Sequence, residues 1–365
     1  MSEFDLSSNS LSNLESQLQL TDPQDCLLQL KSSVESRPFA LSYDPMPPPT
    51  EAPGPDMFLD PLAESVLVGA VEIPLKSAFR HHTLSLVKTC ASLCSRCLFV
   101  QFNGRVERLS WTDVHELLFR VYAAITQVNA SLPSVVYFTP FRSSFFADSH
   151  IQTLFYDDAL PEFLAGIHEG RSRLSMPPLI LRKVHIPVEH SLIDFHSPSK
   201  DASLFLSPCV LVGGTFDRLH NGHRLLLESA AMACSGKLIV GITEDSMCQN
   251  KSNSELIQSF SQRYSAVQSF LTDVAPRVLI LEIVPLTDDS GPALLVPEGL
   301  IMVTEETQPA VARINSQREL RGLLPLEHKV VGSLVMADGT KLSSSYLRQI
   351  EAASNAEVIT QQQQQ

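Results

Sequence analysis

The sequence predicts an α/β protein whose main body is a Rossmann-like, doubly wound parallel sheet. Two observations carry that reading. From Ser207 to about Leu347, short runs of Val, Ile and Leu alternate with amphipathic helical patterns. Within that span, Val210-Leu211-Val212-Gly213-Gly214-Thr215-Phe216-Asp217-Arg218-Leu219-His220-Asn221-Gly222-His223 runs from an apolar strand through a glycine turn straight into a helix. A similar alternation between residues 65 and 187 predicts a smaller α/β domain in front of it.

Composition sets the outer bounds. At 365 residues, 44% of them hydrophobic, the chain has room for two cores and tails. Its net charge of −13 argues against general nucleic-acid binding, which needs a basic face. No apolar run is long enough for a membrane span. The start, Met1-Ser2-Glu3-Phe4-Asp5, carries neither a secretory nor a mitochondrial signal. Seven cysteines without a secretory context predict reduced thiols and a cytoplasmic protein.

Taken in order, residues 1–60 are rich in Ser, Gln, Asp and Pro and predict a disordered arm. Leu27–Leu30 within it is either a fraying turn or a docking motif for a protein partner. The domain at 65–187 is expected to hold a strand at Val66–Val71, a helix at Ser77–Cys94 and a strand at Leu98–Phe102. Asn103-Gly104 is a turn signal that lets Val106–Leu109 pair back as a hairpin. A helix at Trp111–Val128, opened by Ser110 or Thr112, a strand at Ser134–Phe138 and a helix at Leu160–Ile167 complete it. Cys90, Cys94 and Cys97 have loose metal-ligand spacing, but no matching pair follows and the first two fit a helix face. They read as structural thiols and not a zinc site, and His81 and His82 read as solvated. The Pro-bearing stretch Arg182–Pro208 reads as linking segment, its centre at 188–204. In the second domain, 205–352, strands are expected at Lys237–Ile242, Arg277–Ile283, Gly299–Thr304 and Val330–Val335. Helices are expected at Leu256–Thr272 and Ala310–Arg321, and 353–365 as a disordered tail.

Two stretches carry chemistry. His220 and His223 bracket Asn221-Gly222 at a helix mouth, where unpaired backbone N–H groups and the dipole favour an anion. Their imidazoles can donate to phosphate oxygens, and Gly222 lets a flat ligand come close. In Gly339-Thr340-Lys341-Leu342-Ser343-Ser344-Ser345-Tyr346-Leu347-Arg348, three serines open a helix with Arg348 one turn on, an arrangement suited to a phosphate nest. Lys251 leaves the carboxyl end of the second strand, where ligands bind in open α/β sheets.

The pattern G-G-T-F-D-x-x-H-x-G-H resembles the signature of the nucleotidyltransferase superfamily, not the G-x-G-x-x-G dinucleotide fingerprint. Together with Lys251, Val303-Thr304-Glu305-Glu306-Thr307 leading to Ile314-Asn315, and Ser343-Ser344-Ser345 with Arg348, it resembles phosphopantetheine adenylyltransferase. The likeness is to the archaeal and eukaryotic form, as in the adenylyltransferase half of bifunctional coenzyme A synthase, over about 205–352. It implies transfer of AMP from ATP, carried with Mg²⁺, to 4′-phosphopantetheine in coenzyme A biosynthesis, with no prosthetic group and no protein metal site. By the same resemblance His220, His223, Lys251 and Arg348 are the catalytic residues. Gly214, Thr215, Phe216 and Gly222 form the ATP-binding turn. Glu305, Thr307 and Asn315 line the nucleotide side, and Ser343, Ser344 and Ser345 with Arg348 hold the far phosphates. Thr215 and Lys251 also meet the acceptor. The sequence departs from the family pattern at Gln308-Pro309-Ala310, and no G-x-x-x-x-G-K-[ST] loop occurs in it, so dephospho-coenzyme A kinase activity is expected to be absent. Because every candidate lies within 205–352, that span is expected to suffice for activity. Two other readings stay open: another nucleotidyltransferase, such as a cytidylyltransferase or a nicotinamide mononucleotide adenylyltransferase, or a non-catalytic regulatory or scaffold protein.

Overall fold

The computed structural model describes residues 66–138, 150–157, 164–186, 206–275, 278 and 280–363. The expected arm at 1–60, the docking motif Leu27–Leu30 and the linker at 188–204 lie outside them.

The first half opens with β1 (Val66–Pro74), then α1 (His81–Leu93), β2 (Cys94–Asn103), α2 (Trp111–Val128), β3 (Ser134–Phe138), β4 (Thr153–Tyr156), α3 (Leu164–Arg173) and β5 (Ile180–Lys183). The second half runs β6 (Ser207–Gly214), α4 (Asn221–Met232), β7 (Cys234–Thr243), α5 (Phe260–Val274), β8 (Ile280–Leu286), β9 (Leu300–Thr304), α6 (Gln308–Glu319), β10 (Glu327–Val331) and α7 (Ser344–Gln363). The strands form two five-stranded sheets, ordered β3-β2-β1-β4-β5 and β10-β9-β6-β7-β8, and every pairing between them is parallel. Counted from its own first strand, each sheet has the same doubly wound order. The first half is therefore a full counterpart of the second in topology.

Local chemistry explains most element boundaries. Ser110 caps α2 and exchanges bonds with Asp113 in a capping box, and Ser259 does the same for α5 through Gln262. Several expectations are corrected. Val106–Arg108 is a single 3-10 turn and does not pair back as a hairpin, because both edges of β2 are already taken by β1 and β3. Cys94 belongs to β2 and not to the helix before it. The short strands β4 and β5 escaped the sequence reading, since four residues each show no clear period. The stretch 353–363, expected as a disordered tail, continues α7. His82 is not merely solvated: its Nε2 lies 2.9 Å from Asp157 Oδ2. Cys90 and Cys94 are buried, as structural thiols would be, and desolvation holds both above the ordinary thiol range, Cys94 at about 12. Among the described residues no helix is long and apolar enough to cross a membrane.

The two sheets share one core. The large apolar cluster takes in Val100, Leu117 and Val121 of the first half with Leu225, Leu227, Val240 and Leu300 of the second. The other face of the second sheet, Leu211, Ile239, Ile301 and Val303, packs separately on Val311 and Ile314 of α6. Helix α4 is buried from Arg224 through Met232 on every side. Its expected amphipathic face does not meet water, because its own sheet covers one side and α2 the other. The polar groups on that second side are met across the seam. Tyr122 Oη donates to Glu228 Oε2 at 2.7 Å, Trp111 Nε1 donates to the Ser229 carbonyl at 3.3 Å, and His115 Nδ1 lies 3.1 Å from Ser229 Oγ.

Candidate active site

Strand β6 lies in the middle of its sheet, between β7 and β9. The chain leaves β6 toward β7 on one side and leaves β9 toward β10 on the other, so the two connections diverge and open a crevice at the carboxyl ends of the strands. Three segments meet at it: Thr215–His220 after β6, the loop after β7 that carries Lys251, and the start of α7.

His220 is the N-cap of α4. The backbone N–H of His223 donates to its Nδ1 at 3.4 Å, which leaves the proton of a neutral ring on Nε2. The two imidazoles stack at 3.8 Å between centroids and 18° between planes, and His223 meets Phe216 in a T-shaped contact at 5.4 Å. Both rings therefore present their donors from one place at the dipole-positive end of the helix. Gly222 has a stricter reason to be glycine than ligand access alone, since a Cβ there would lie 3.1 Å from the His220 ring. His223 Nδ1 is buried and has no hydrogen-bond partner in the structure.

Burial dominates the titration of both rings. It pushes His220 well below the ordinary imidazole range, with His223 adding to the effect. It pushes His223 down to about 3, helped by the Lys251 ammonium and the Arg224 guanidinium. The pair is thus neutral at neutral pH and can offer N–H donors. Because the folded values are depressed, the stability effect is fully present above about pH 6.5 and is lost as pH falls toward about 3. The slope in that window is about 1.4 kcal/mol per pH unit for His223. Urea unfolding at pH 7 and pH 5 is expected to show a larger fall for the native chain than for His223→Gln. Equal falls would mean that His223 titrates as an ordinary histidine.

Lys251 reaches the same place across the crevice. Its Nζ donates to Thr215 Oγ1 at 2.6 Å, and Thr243 Oγ1 donates to the same oxygen at 3.2 Å. Phe216, at 0% exposure, and Arg218 both have left-handed backbone, φ 53° and 51°. Such conformations cost about 1–3 kcal/mol each and persist only when the surroundings over-determine them. Here Arg218 N–H donates to Gln258 Oε1 at 2.7 Å, and its guanidinium binds Asp217, the Leu256 carbonyl and Glu351.

The serine run is partly spent. Ser343 caps α7 by accepting from Tyr346 N–H, and Ser344 Oγ donates to the Asp217 carbonyl at 2.8 Å. Arg348 is not open to the crevice as expected. It is 1% exposed, with Nε on the Ser252 carbonyl at 3.0 Å, one terminal nitrogen on Asp217 Oδ2 at 2.6 Å and the other on Ser345 Oγ at 3.1 Å. It ties α7 to the motif loop. Ser343 and Ser345 accept in these bonds through their hydroxyl oxygens, so their hydroxyl protons stay free to donate.

The nucleotide-side candidates divide. Glu305 is exposed, and Thr307 Oγ1 is taken up in a turn with Thr304, accepting its N–H at 2.9 Å. Asn315 faces its own scaffold, exchanging both amide bonds with Leu326 at 2.9 and 3.1 Å, and so pins the approach to β10. Pro309 falls in the first turn of α6, where a missing N–H costs nothing, so Gln308-Pro309 is a normal helix start. Gly214 ends β6 with Phe216 folded over it.

Two residues escaped the sequence reading. Arg263, 0% exposed, donates to the carbonyls of Thr215 at 2.9 Å, Thr243 at 2.8 Å and Gln258 at 2.9 Å, and to Asp245 at 2.6 Å. It rivets together the ends of β6 and β7 beneath the site. Its signal was an arginine inside an amphipathic helix, which looks like any solvated charge. Lys341 pairs with Glu306 and lowers the His220 pKa from nearby, bringing the segment after β9 to the serine run.

A cytidylyltransferase-like family model matches residues 211–350, the span that contains every candidate site residue. A phosphopantetheine adenylyltransferase of Methanopyrus kandleri is 39% identical over 140 residues, which cover 38% of this chain and 87% of that protein. The chain belongs to the phosphopantetheine adenylyltransferase family. It is thereby a nucleotidyltransferase. The family member from Saccharomyces cerevisiae is 35% identical over 183 residues, 49% of this chain, and the match spans 59% of that protein, less than two thirds of its length. An uncharacterized Schizosaccharomyces pombe protein is 24% identical over 279 residues, 74% of this chain and 84% of that one. That alignment is longer than the second half by itself, so this relative shares sequence with the first half too.

Proposed function

We propose that the chain transfers AMP from ATP to 4′-phosphopantetheine, giving dephospho-coenzyme A and pyrophosphate. The observation that carries this is the stacked, neutral His220–His223 pair at the mouth of α4 with Lys251 facing it from Thr215. The substrates themselves follow the names of the relatives. An oxygen of the acceptor phosphate attacks the α-phosphorus of ATP, a new P–O bond forms, and the bond to pyrophosphate breaks. No protein nucleophile is needed, so catalysis consists of alignment and of donors aimed at developing charge. His220 Nε2–H and His223 supply those donors, and Lys251 bridges the acceptor phosphate and the α-phosphate. The α7 N-terminus, with Ser343 and Ser345, receives the far phosphates. Arg348 acts from behind, holding that helix through Asp217 and Ser345.

ATP would bring Mg²⁺ with it. Asp217, the carboxylate of the motif loop, has both oxygens committed to Arg218, Arg348 and the Gln258 N–H. The residues therefore do not fit a protein-held cation, and none is assigned a step. The unbridged thiols Cys90, Cys94, Cys209, Cys234 and Cys248 suit a reducing compartment, and we assign the protein to the cytoplasm.

The deciding measurement is pyrophosphate release from ATP with 4′-phosphopantetheine, beside nicotinamide mononucleotide and cytidine triphosphate with a choline-type phosphate. Release with one of the latter pairs alone would overturn the substrate assignment. ATP binding without release from any pair would favour a scaffold. In the productive reaction the product stops at dephospho-coenzyme A. Lys251→Ala is expected to lower kcat by about two orders of magnitude, the scale for one transition-state donor, and also to raise KM for the acceptor. A change in KM for ATP alone would show that Lys251 does not meet the acceptor.

A further inference from the structure

The asparagine between the two motif histidines does not face the crevice. Asn221 is the first residue of α4 and is 1% exposed. Its Nδ2 donates to the Leu132 carbonyl at 3.1 Å and lies 3.5 Å from Thr126 Oγ1. Both acceptors belong to the first half, one in the last turn of α2 and the other just ahead of β3. We propose that the first half is a positioning element for the transfer reaction and that it acts through this amide on the histidine turn, an inference that rests on the function proposed above.

The argument is geometric. Asn221 Oδ1 is buried without a hydrogen-bond partner in the structure. An orphan carbonyl oxygen carries a desolvation cost, which an alanine would avoid. What the asparagine adds for that cost is the donor bond to Leu132. That bond fixes the first turn of α4, and both rings ride on it. His220 is the cap of the turn, His223 hydrogen-bonds back to it, and the rings stack. Preorganised donors lose effect steeply when displaced, and a shift near 1 Å costs about 100-fold. The remaining bonds of the seam, from Tyr122 to Glu228 and from Trp111 and His115 to Ser229, hold the later turns. They set stability and leave the mouth alone. Asn221, Thr126 and Leu132 therefore form a positioning contact, distinct from the structural contacts beside it.

The test uses the full chain, comparing Asn221→Ala with Tyr122→Phe from the same seam. For each, kcat per folded molecule, ATP dissociation constant and thermal midpoint are measured, together with the imidazole signals of ¹³C,¹⁵N-histidine-labelled protein. Asn221→Ala is expected to lower kcat about 10- to 100-fold with ATP affinity held within about threefold, and to shift or broaden the His220 and His223 ring signals. Tyr122→Phe is expected to lower the thermal midpoint and leave kcat and those signals unchanged. If Asn221→Ala instead behaves like Tyr122→Phe, the inference is overturned. It is also overturned if ATP affinity falls in parallel with kcat, which would mean a collapsed site. Should Asn221→Ala not fold, Asn221→Ser, too short to reach Leu132, is held to the same criteria. If the native chain shows no transfer at all, the proposed function fails by itself, and the ring signals alone decide the positioning role.

Discussion

Replacing His223 with alanine is expected to lower kcat by about two to three orders of magnitude, the range for losing one preorganised donor to transition-state charge. ATP affinity should change much less, because such a donor is worth most when the charge at the α-phosphate develops. The fold should survive. The ring is lost from a stack with His220 and an edge contact with Phe216, but its buried Nδ1 makes no hydrogen bond that would be broken. Steady-state kinetics beside calorimetric ATP titration and a thermal melt separate these quantities. An unchanged kcat in a folded protein would remove the imidazole from the chemistry.

The second large effect concerns the whole first half. A chain reduced to residues 206–363 is expected to lose cooperative unfolding and with it turnover, against the sequence-based expectation that 205–352 suffices. Truncation would strip α2 from α4 and expose the apolar residues of a single shared core. It would also leave Glu228, Asn221 and Ser229 without Tyr122, Leu132 and Trp111. Burial holds the Glu228 carboxyl well above its usual range, and cutting the seam open to water would let it ionise on what had been an interior face. The check is denaturant unfolding of the truncated chain beside the full one. A sharp transition with near-native kcat would show the second half to be autonomous.

The sequence by itself determined the class of fold and the identity of the central motif. Periodicity exposed Val210–Val212, the helix Trp111–Val128 with its Ser110 cap and the strand Ser134–Phe138, because each of these signals is local. It also singled out His220, His223 and Lys251, since a helix mouth and a strand end can be read from neighbouring residues. Only the tertiary structure decided the rest. Whether Arg348 and Asn315 face a ligand or their own scaffold depends on Asp217 and Leu326, which come within hydrogen-bond reach of them only after folding. Arg263 and Lys341 gain their meaning from carbonyls and a carboxylate brought in by other strands. That α4 is buried on all sides, and that Asn221 answers to Leu132, follows from packing α2 and the segment before β3 against it. Helical and strand periods describe how a segment meets its nearest layer, and they hold no record of a second layer closing over it.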